Sequence, residues 1–196
     1  QLAIVDGLEG RYTEARQLAE EAVAVVATLD RLRDLAWAYE VAGEARWYDD
    51  DLAGAEAAYR QARALFDELG VQEGVMLTEH HFGQIARRRG DFATSRRHYH
   101  TALELAHAQH DERMVGRSLA GLGALAVAAG EDVRAATLLA AAWQRFDCLP
   151  PFLAPCDEAD YQQARRALDV RLPPQVLDNA RRAGQTLSID ALLAEG

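Results

Sequence analysis

The chain has 196 residues, 49% of them hydrophobic and 27% charged, which is enough apolar material to build a folded core and too much for a disordered segment. Its formal net charge is −10 and all 21 basic residues are arginine; a surface this acidic repels a phosphate backbone, so direct nucleic-acid binding by this segment is not expected. The longest apolar run, Leu119 to Ala129, is too short and too rich in Ala and Gly to cross a bilayer, and no signal peptide opens the chain, so a cytoplasmic protein is expected.

Alanine, leucine and arginine dominate, residues that lose little on entering a helix. The chain begins at Gln1 without a Met and in mid-helix, so residues 1–9 are expected to be the tail of a first helix in a fragment of a longer or processed polypeptide. From Gly10 onward a period appears. Gly10, Asp50, Gly90 and Gly130 stand 40 residues apart. Five positions after each lies a small residue (Ala15, Ala55, Ser95, Ala135), and twelve positions after lies Ala22, Ala62, Ala102 or Ala142. Between them come Ala19, Tyr59, Tyr99 and Leu139, and seven positions before the last three origins come Gly43, Gly83 and Gly123.

These columns have a physical reading. A Gly at the origin supplies the left-handed backbone that ends one helix and turns the chain into the next. Small residues mark where two helices approach closely, and the large residue between them fills the gap. Each unit is therefore helix A, a tight turn, and helix B. Helix A is predicted at about 32–48, 74–89 and 113–129, and helix B at about 12–29, 52–69, 92–109 and 132–146. After Phe146 the period stops. Pro150, Pro151 and Pro155 predict an irregular loop, followed by helices at 157–169 and 174–183 and a short one N-capped by Ser188. Residues 1–146 are thus read as about three and a half repeats, and 147–196 as the atypical end unit that a repeat stack needs as a cap.

Several side chains invite a chemical reading. Cys148 and Cys156 could form a disulfide or half a metal site, although two free thiols fit a cytosolic protein better. All six histidines lie between 80 and 110, and His100, Glu104 and His107 share one helix face. Metal binding or a pH switch is conceivable there, but the alignment of His100 with Glu20 and Arg60 favours surface histidines. Asp49, Asp50 and Asp51 fall in a turn and are expected to cap a helix. No Gly-x-Ser-x-Gly elbow, HExxH motif, Cys/His pairing or phosphate loop is present, so catalysis, a metal and a cofactor are not expected.

The segment GQIARRRGDFATSRRHYHTALEL (83–105) resembles a tetratricopeptide repeat, with a period of 40 rather than the usual 34. Repeats of this length are similar to the helical domains of large bacterial ATP-dependent transcriptional regulators of the maltose-regulator and LuxR-type class. GEDVRAATLLAAAWQRFD (130–147) and ARRAGQTLSIDALLAEG (180–196) look like the end of that region. The resemblance implies an all-α, right-handed superhelix of antiparallel hairpins whose A helices line a concave groove. Carried over by position, that groove would hold Trp37, Glu40, Glu44, Trp47 and Tyr48 in the second unit, His80, Gln84, Arg87 and Arg88 in the third, and Arg117 in the fourth. Tryptophan and tyrosine are common anchors at protein contacts, and arginine offers a planar fork to carboxylates. The alternative for Trp37 and Trp47 is a place in the core, and for Arg87 to Arg89 a role at the C-terminal end of helix A. Glu79, Arg46 and Asp50 depart from the repeat pattern, so the second hairpin is expected to pack less regularly. The resemblance implies a non-catalytic domain that binds a protein, a peptide or a small effector for modules not in this chain. A self-associating scaffold, dimeric through its N-terminal end, is the alternative, and a metal or small-molecule enzyme built on the His-rich unit is a third.

Overall fold

A computed structural model of the protein describes residues 11–147 and 155–194. The expectations for residues 1–9, for Gly10, for the loop 148–154, and for pairing of Cys148 with the Cys156 side chain lie outside the described residues. Among these there are ten helices and no strand: α1 (Tyr12–Ala27), α2 (Leu32–Tyr48), α3 (Leu52–Glu68), α4 (Gln72–Arg88), α5 (Phe92–Ala108), α6 (Glu112–Ala128), α7 (Asp132–Asp147), α8 (Pro155–Arg171), α9 (Pro174–Gln185) and α10 (Ile189–Leu193). None of them is long and apolar enough to cross a membrane.

The 40-residue period resolves into a finer one. Helices α2 to α6 are each 17 residues long, with three residues between one and the next. One residue of each connection has a positive φ: Asp30 (+50°), Asp50 (+61°), Gly70 (+65°), Gly90 (+78°), His110 (+56°) and Gly130 (+78°), spaced every 20 residues. The hydrogen bonds repeat as well. Gly90 N–H donates to the Arg87 carbonyl and Asp91 N–H to that of Ala86; His110 and Asp111 repeat this with His107 and Ala106, and Gly130 and Glu131 with Val127 and Ala126. This is the paired closure that uses up the last free carbonyls of a helix through one left-handed residue. The next residue then caps the following helix. The carboxylates of Asp51, Asp91 and Asp111 accept from the backbone N–H groups of Gly54, Thr94 and Met114.

Asp50 therefore does not loosen the second hairpin. It takes the conformation that Gly90 and Gly130 take, and α2 and α3 keep the same length and spacing as their neighbours. Arg46, also off pattern, extends across α1, where its guanidinium reaches Glu20 at 2.9 Å. Glu79 is buried, with Arg63 at 3.5 Å.

The described residues divide into two compact units, the first ending at Phe82 and the second beginning at Gly83. In the first, α1 packs on α2 and α2 on α3. In the second, α5, α6 and α7 pack in sequence, α8 lies on α6 and α7, α9 on α7, and α10 on α5. The columns of the sequence are the contacts of this core. Ala15, Ala55, Ser95, Ala135, Ala62, Ala102 and Ala142 are fully buried, whereas Ala22 is exposed. A Cβ on Gly43 would lie 2.5 Å from the Tyr59 ring, one on Gly83 2.8 Å from the Tyr99 ring, and one on Gly123 2.6 Å from a Leu139 methyl. Tyr99 is held from both sides, because a Cβ on Gly121 would stand 2.4 Å from the same ring.

The end unit also departs from expectation in detail. Pro155, predicted in the loop, opens α8, where its missing N–H leaves nothing unsatisfied. Pro174 opens α9 in the same way, and the Ser188 hydroxyl accepts from the Ala191 N–H to start α10.

Two substitutions check this account by thermal or urea unfolding. His110→Gly removes a left-handed penalty of roughly 1–2 kcal/mol at an exposed site; after part of that is offset by the freer unfolded chain, a gain of about 0.5 kcal/mol is expected. Gly121→Ala gains helix propensity but drives a methyl into a ring with no room to move, so a net loss of about 1–2 kcal/mol is expected.

Candidate functional site

Within the second unit, the helix A face predicted to line a groove is occupied by the chain's own α8. Asp157, in the first turn of α8, is 4% exposed. One of its carboxylate oxygens accepts from Arg117 Nε at 2.8 Å and lies 2.7 Å from Arg117 Nη2, while the other accepts from Gln84 Nε2 at 2.6 Å. One turn further along α8, Asp160 takes the Arg87 guanidinium. The two carboxylates stand three residues apart on one helix and so face the same side. They meet Gln84 and Arg87 of α4 and Arg117 of α6.

The arrangement reaches into the core through Tyr99 of α5. Its ring is fully buried between the two glycines, and the Arg87 guanidinium acts electrostatically on its phenol. Burial pushes the Tyr99 phenol well above its ordinary pKa, against the pull of Arg87. For Arg87 itself burial opposes the charge, but the Tyr99 phenol and the Asp160 carboxylate outweigh it and hold the guanidinium pKa above its usual value. Arg88, the next residue, is exposed. So Arg88 is exposed, whereas Gln84, Arg87 and Arg117 serve as receptors for α8 rather than as an empty surface.

In the first unit the predicted groove residues are mostly interior. Glu40, Glu44 and Trp47 are 6%, 7% and 7% exposed, and His80 is 1% exposed. Trp37 is half-buried and packs edge-on to Phe66 at 4.8 Å, which gives it a share in the core. Tyr48 is half-buried and stacks on Tyr12. His81 joins the set: its Nε2 lies 3.1 Å from Glu40 Oε1, and its ring stacks on Tyr59 at 4.4 Å. The surface reading of the histidines is therefore corrected for His80 and His81. His81 is buried where α4 meets the Tyr59 ring of α3, and His80 is buried beside it. His107, by contrast, lies partly exposed, with its Nε2 3.0 Å from Asp190 Oδ1 of α10. No group of three or more metal-ligating side chains comes together among the described residues.

Sequence reasoning missed Asp157 and Asp160. Their signal was an acidic first turn in α8 with spacing i, i+3, which reads equally well as a favourable charge at a helix N-terminus. No protein-family model matches this chain, and no curated protein matches it significantly.

The buried anchor makes two predictions. Arg117→Ala strips the main partner from the Asp157 carboxylate, and a loss of about 3 kcal/mol or more is expected in urea unfolding. The pair Arg117→Met with Asp157→Leu removes the stranded charge and recovers part of that loss; a double variant no better than the single one would contradict the argument. The second prediction concerns pH. The folded phenol of Tyr99 has a raised pKa, so its contribution is complete below the ordinary tyrosine value of about 10 and is lost as pH rises beyond it, where the unfolded chain ionises first. The fall in unfolding midpoint between pH 9 and pH 11 is therefore expected to be shallower in Tyr99→Phe than in the unsubstituted protein.

Proposed function

We propose that the chain is a non-catalytic, protein- or peptide-binding domain of tetratricopeptide type, with hairpins wound in a right-handed superhelix, and that it serves as the interaction part of a larger transcriptional regulator. The observation that carries this reading is the seating of α8. Helix A residues Gln84, Arg87 and Arg117 clasp two carboxylates presented by an acidic helix, which is the chemistry a helical repeat uses on a partner segment. In this reading α8 completes the face in cis, and a partner's acidic segment engages what the face leaves accessible, with Arg88 as its first contact.

The regular hairpins support the same conclusion. Among the described residues, the connections from α2 to α7 are three residues each and close the backbone on itself, which leaves little loop there to carry a site. Buried polar groups such as Glu40 and His81 meet each other inside the core instead of converging on a cleft.

The test is affinity capture on the immobilised protein, with retained proteins identified and titrated. A specific partner is expected, with Arg88→Glu weakening its capture at least tenfold while helical content stays unchanged. Retention of nothing, or equal retention by Arg88→Glu, would overturn the proposal.

A further inference from the structure

A second feature of the end unit points elsewhere, to a small-molecule site. Helices α7, α8 and α9 do not close on one another completely. Gly184 brings α9 against α7 so tightly that a Cβ there would lie 2.7 Å from the Thr137 carbonyl oxygen. Helix α8 is anchored near its N-terminal end by Asp157, and it contacts α7 and α9 more sparingly than it contacts α6. The wedge left between the three helices is a cleft of about 270 Å³.

Its walls are chemically specific. The floor is apolar, with Leu139 and Leu168 only 3% and 2% exposed. One side carries Trp143, an indole 48% exposed although it stands beside that floor. Its ring is nearly parallel to that of Tyr161, at 16° with centroids 6.0 Å apart, and Tyr161 itself is 4% exposed. The rim carries Arg165 and Arg181, against one lining carboxylate, Asp169. The Tyr161 phenol has its pKa raised by burial and pulled back by the Arg165 guanidinium. Arg181 pairs with Asp178 at 3.1 Å, but both groups are widely exposed, so the pairing is weak and the guanidinium keeps donors for a ligand.

We infer that this cleft between α7, α8 and α9 binds a small planar aromatic carboxylate. The ring would lie on the Leu139 and Leu168 floor against the Trp143 indole, covering an aromatic surface that otherwise faces water. The carboxylate would sit at the rim on Arg165 and Arg181, whose forked donors match its two oxygens. The volume sets the size. It falls just under the roughly 300–1,000 Å³ of drug-sized sites, which leaves space for one fused ring system with a short acidic arm. A neutral ring would gain only the floor, and a cationic one would meet two guanidinium groups. This site does not depend on the protein-binding reading above, since it uses none of Gln84, Arg87, Arg88 and Arg117.

Indole-3-acetate is a suitable probe, with indole and tryptamine as its neutral and cationic counterparts. The protein has three tryptophans, so a ¹⁵N–¹H spectrum of labelled protein carries three indole N–H signals, and Trp143→Phe identifies that of Trp143. On titration with unlabelled indole-3-acetate, the Trp143 signal is expected to shift saturably while those of Trp37 and Trp47 stay in place. Half-saturation is expected below about 1 mM, the range of a modest fragment-sized ligand. In Arg165→Gln/Arg181→Gln, whose substituted side chains are exposed and whose helicity should be unchanged, affinity is expected to fall at least tenfold; indole should bind both proteins weakly and equally. No saturable shift, a shift of equal affinity with tryptamine, or an affinity unaffected by the arginine substitutions would each overturn the inference.

Discussion

The left-handed residue that recurs every 20 positions is the constraint on which the rest of the structure depends. A helix of 17 residues leaves free carbonyls at its end and free N–H groups at the start of the next, and only three residues are available to satisfy both. A single positive φ solves the first half by folding two N–H groups back onto the finished helix. The residue after it is then placed to cap the new helix, and at Asp51, Asp91 and Asp111 a carboxylate does so. Fixed length and fixed turn together fix register, so a residue that faces its neighbour in one hairpin does so again in the next.

Register explains why the core could be built from so little. The Tyr99 ring fits because Gly83 and Gly121 present bare backbone to both its faces. Its hydroxyl then lies deep in the second unit, where the Arg87 guanidinium is its electrostatic partner. That partner is a charge inside the protein, so it in turn requires a carboxylate, which Asp160 of α8 brings. A chain of requirements thus runs from a turn geometry through a glycine pair to the docking of a helix more than seventy residues away in sequence.

The same chain shows what was legible in the sequence and what was not. Helix positions could be read within two or three residues, because caps and turns are local and act through residue type. The 20-residue half-period was hidden because Asp30, Gly70 and His110 share a backbone conformation and no chemistry, so they form no visible column. The small and large columns were legible for the same reason that turns were, since size at a close approach leaves little choice. Gln84, Arg87 and Arg117 were read as facing a groove, and in the structure they meet α8. An arginine facing outward from a hairpin looks the same whether it meets solvent or a later helix, and nothing near it in sequence marks Asp157 as its partner. His80 and His81 failed differently: polar residue type outweighed a periodicity that put them inside.

The α8 anchor also bears on why this stack ends where the period does. An apolar seam would hold a terminal helix as firmly, and by mutational precedent a buried ion pair adds little over well-packed hydrophobic groups. What the carboxylates add is position along the helix. Two acids three residues apart can meet Arg117 and Arg87 in one register only, whereas a smooth apolar face of Ala164 and Leu168 would tolerate a slip by a turn. A slip would carry Tyr161 away from Trp143 and either close or flood the wedge between α7 and α9. The polar contact at the start of α8 therefore sets the shape of the apolar cleft further along it, and the two are coupled through a single rigid helix.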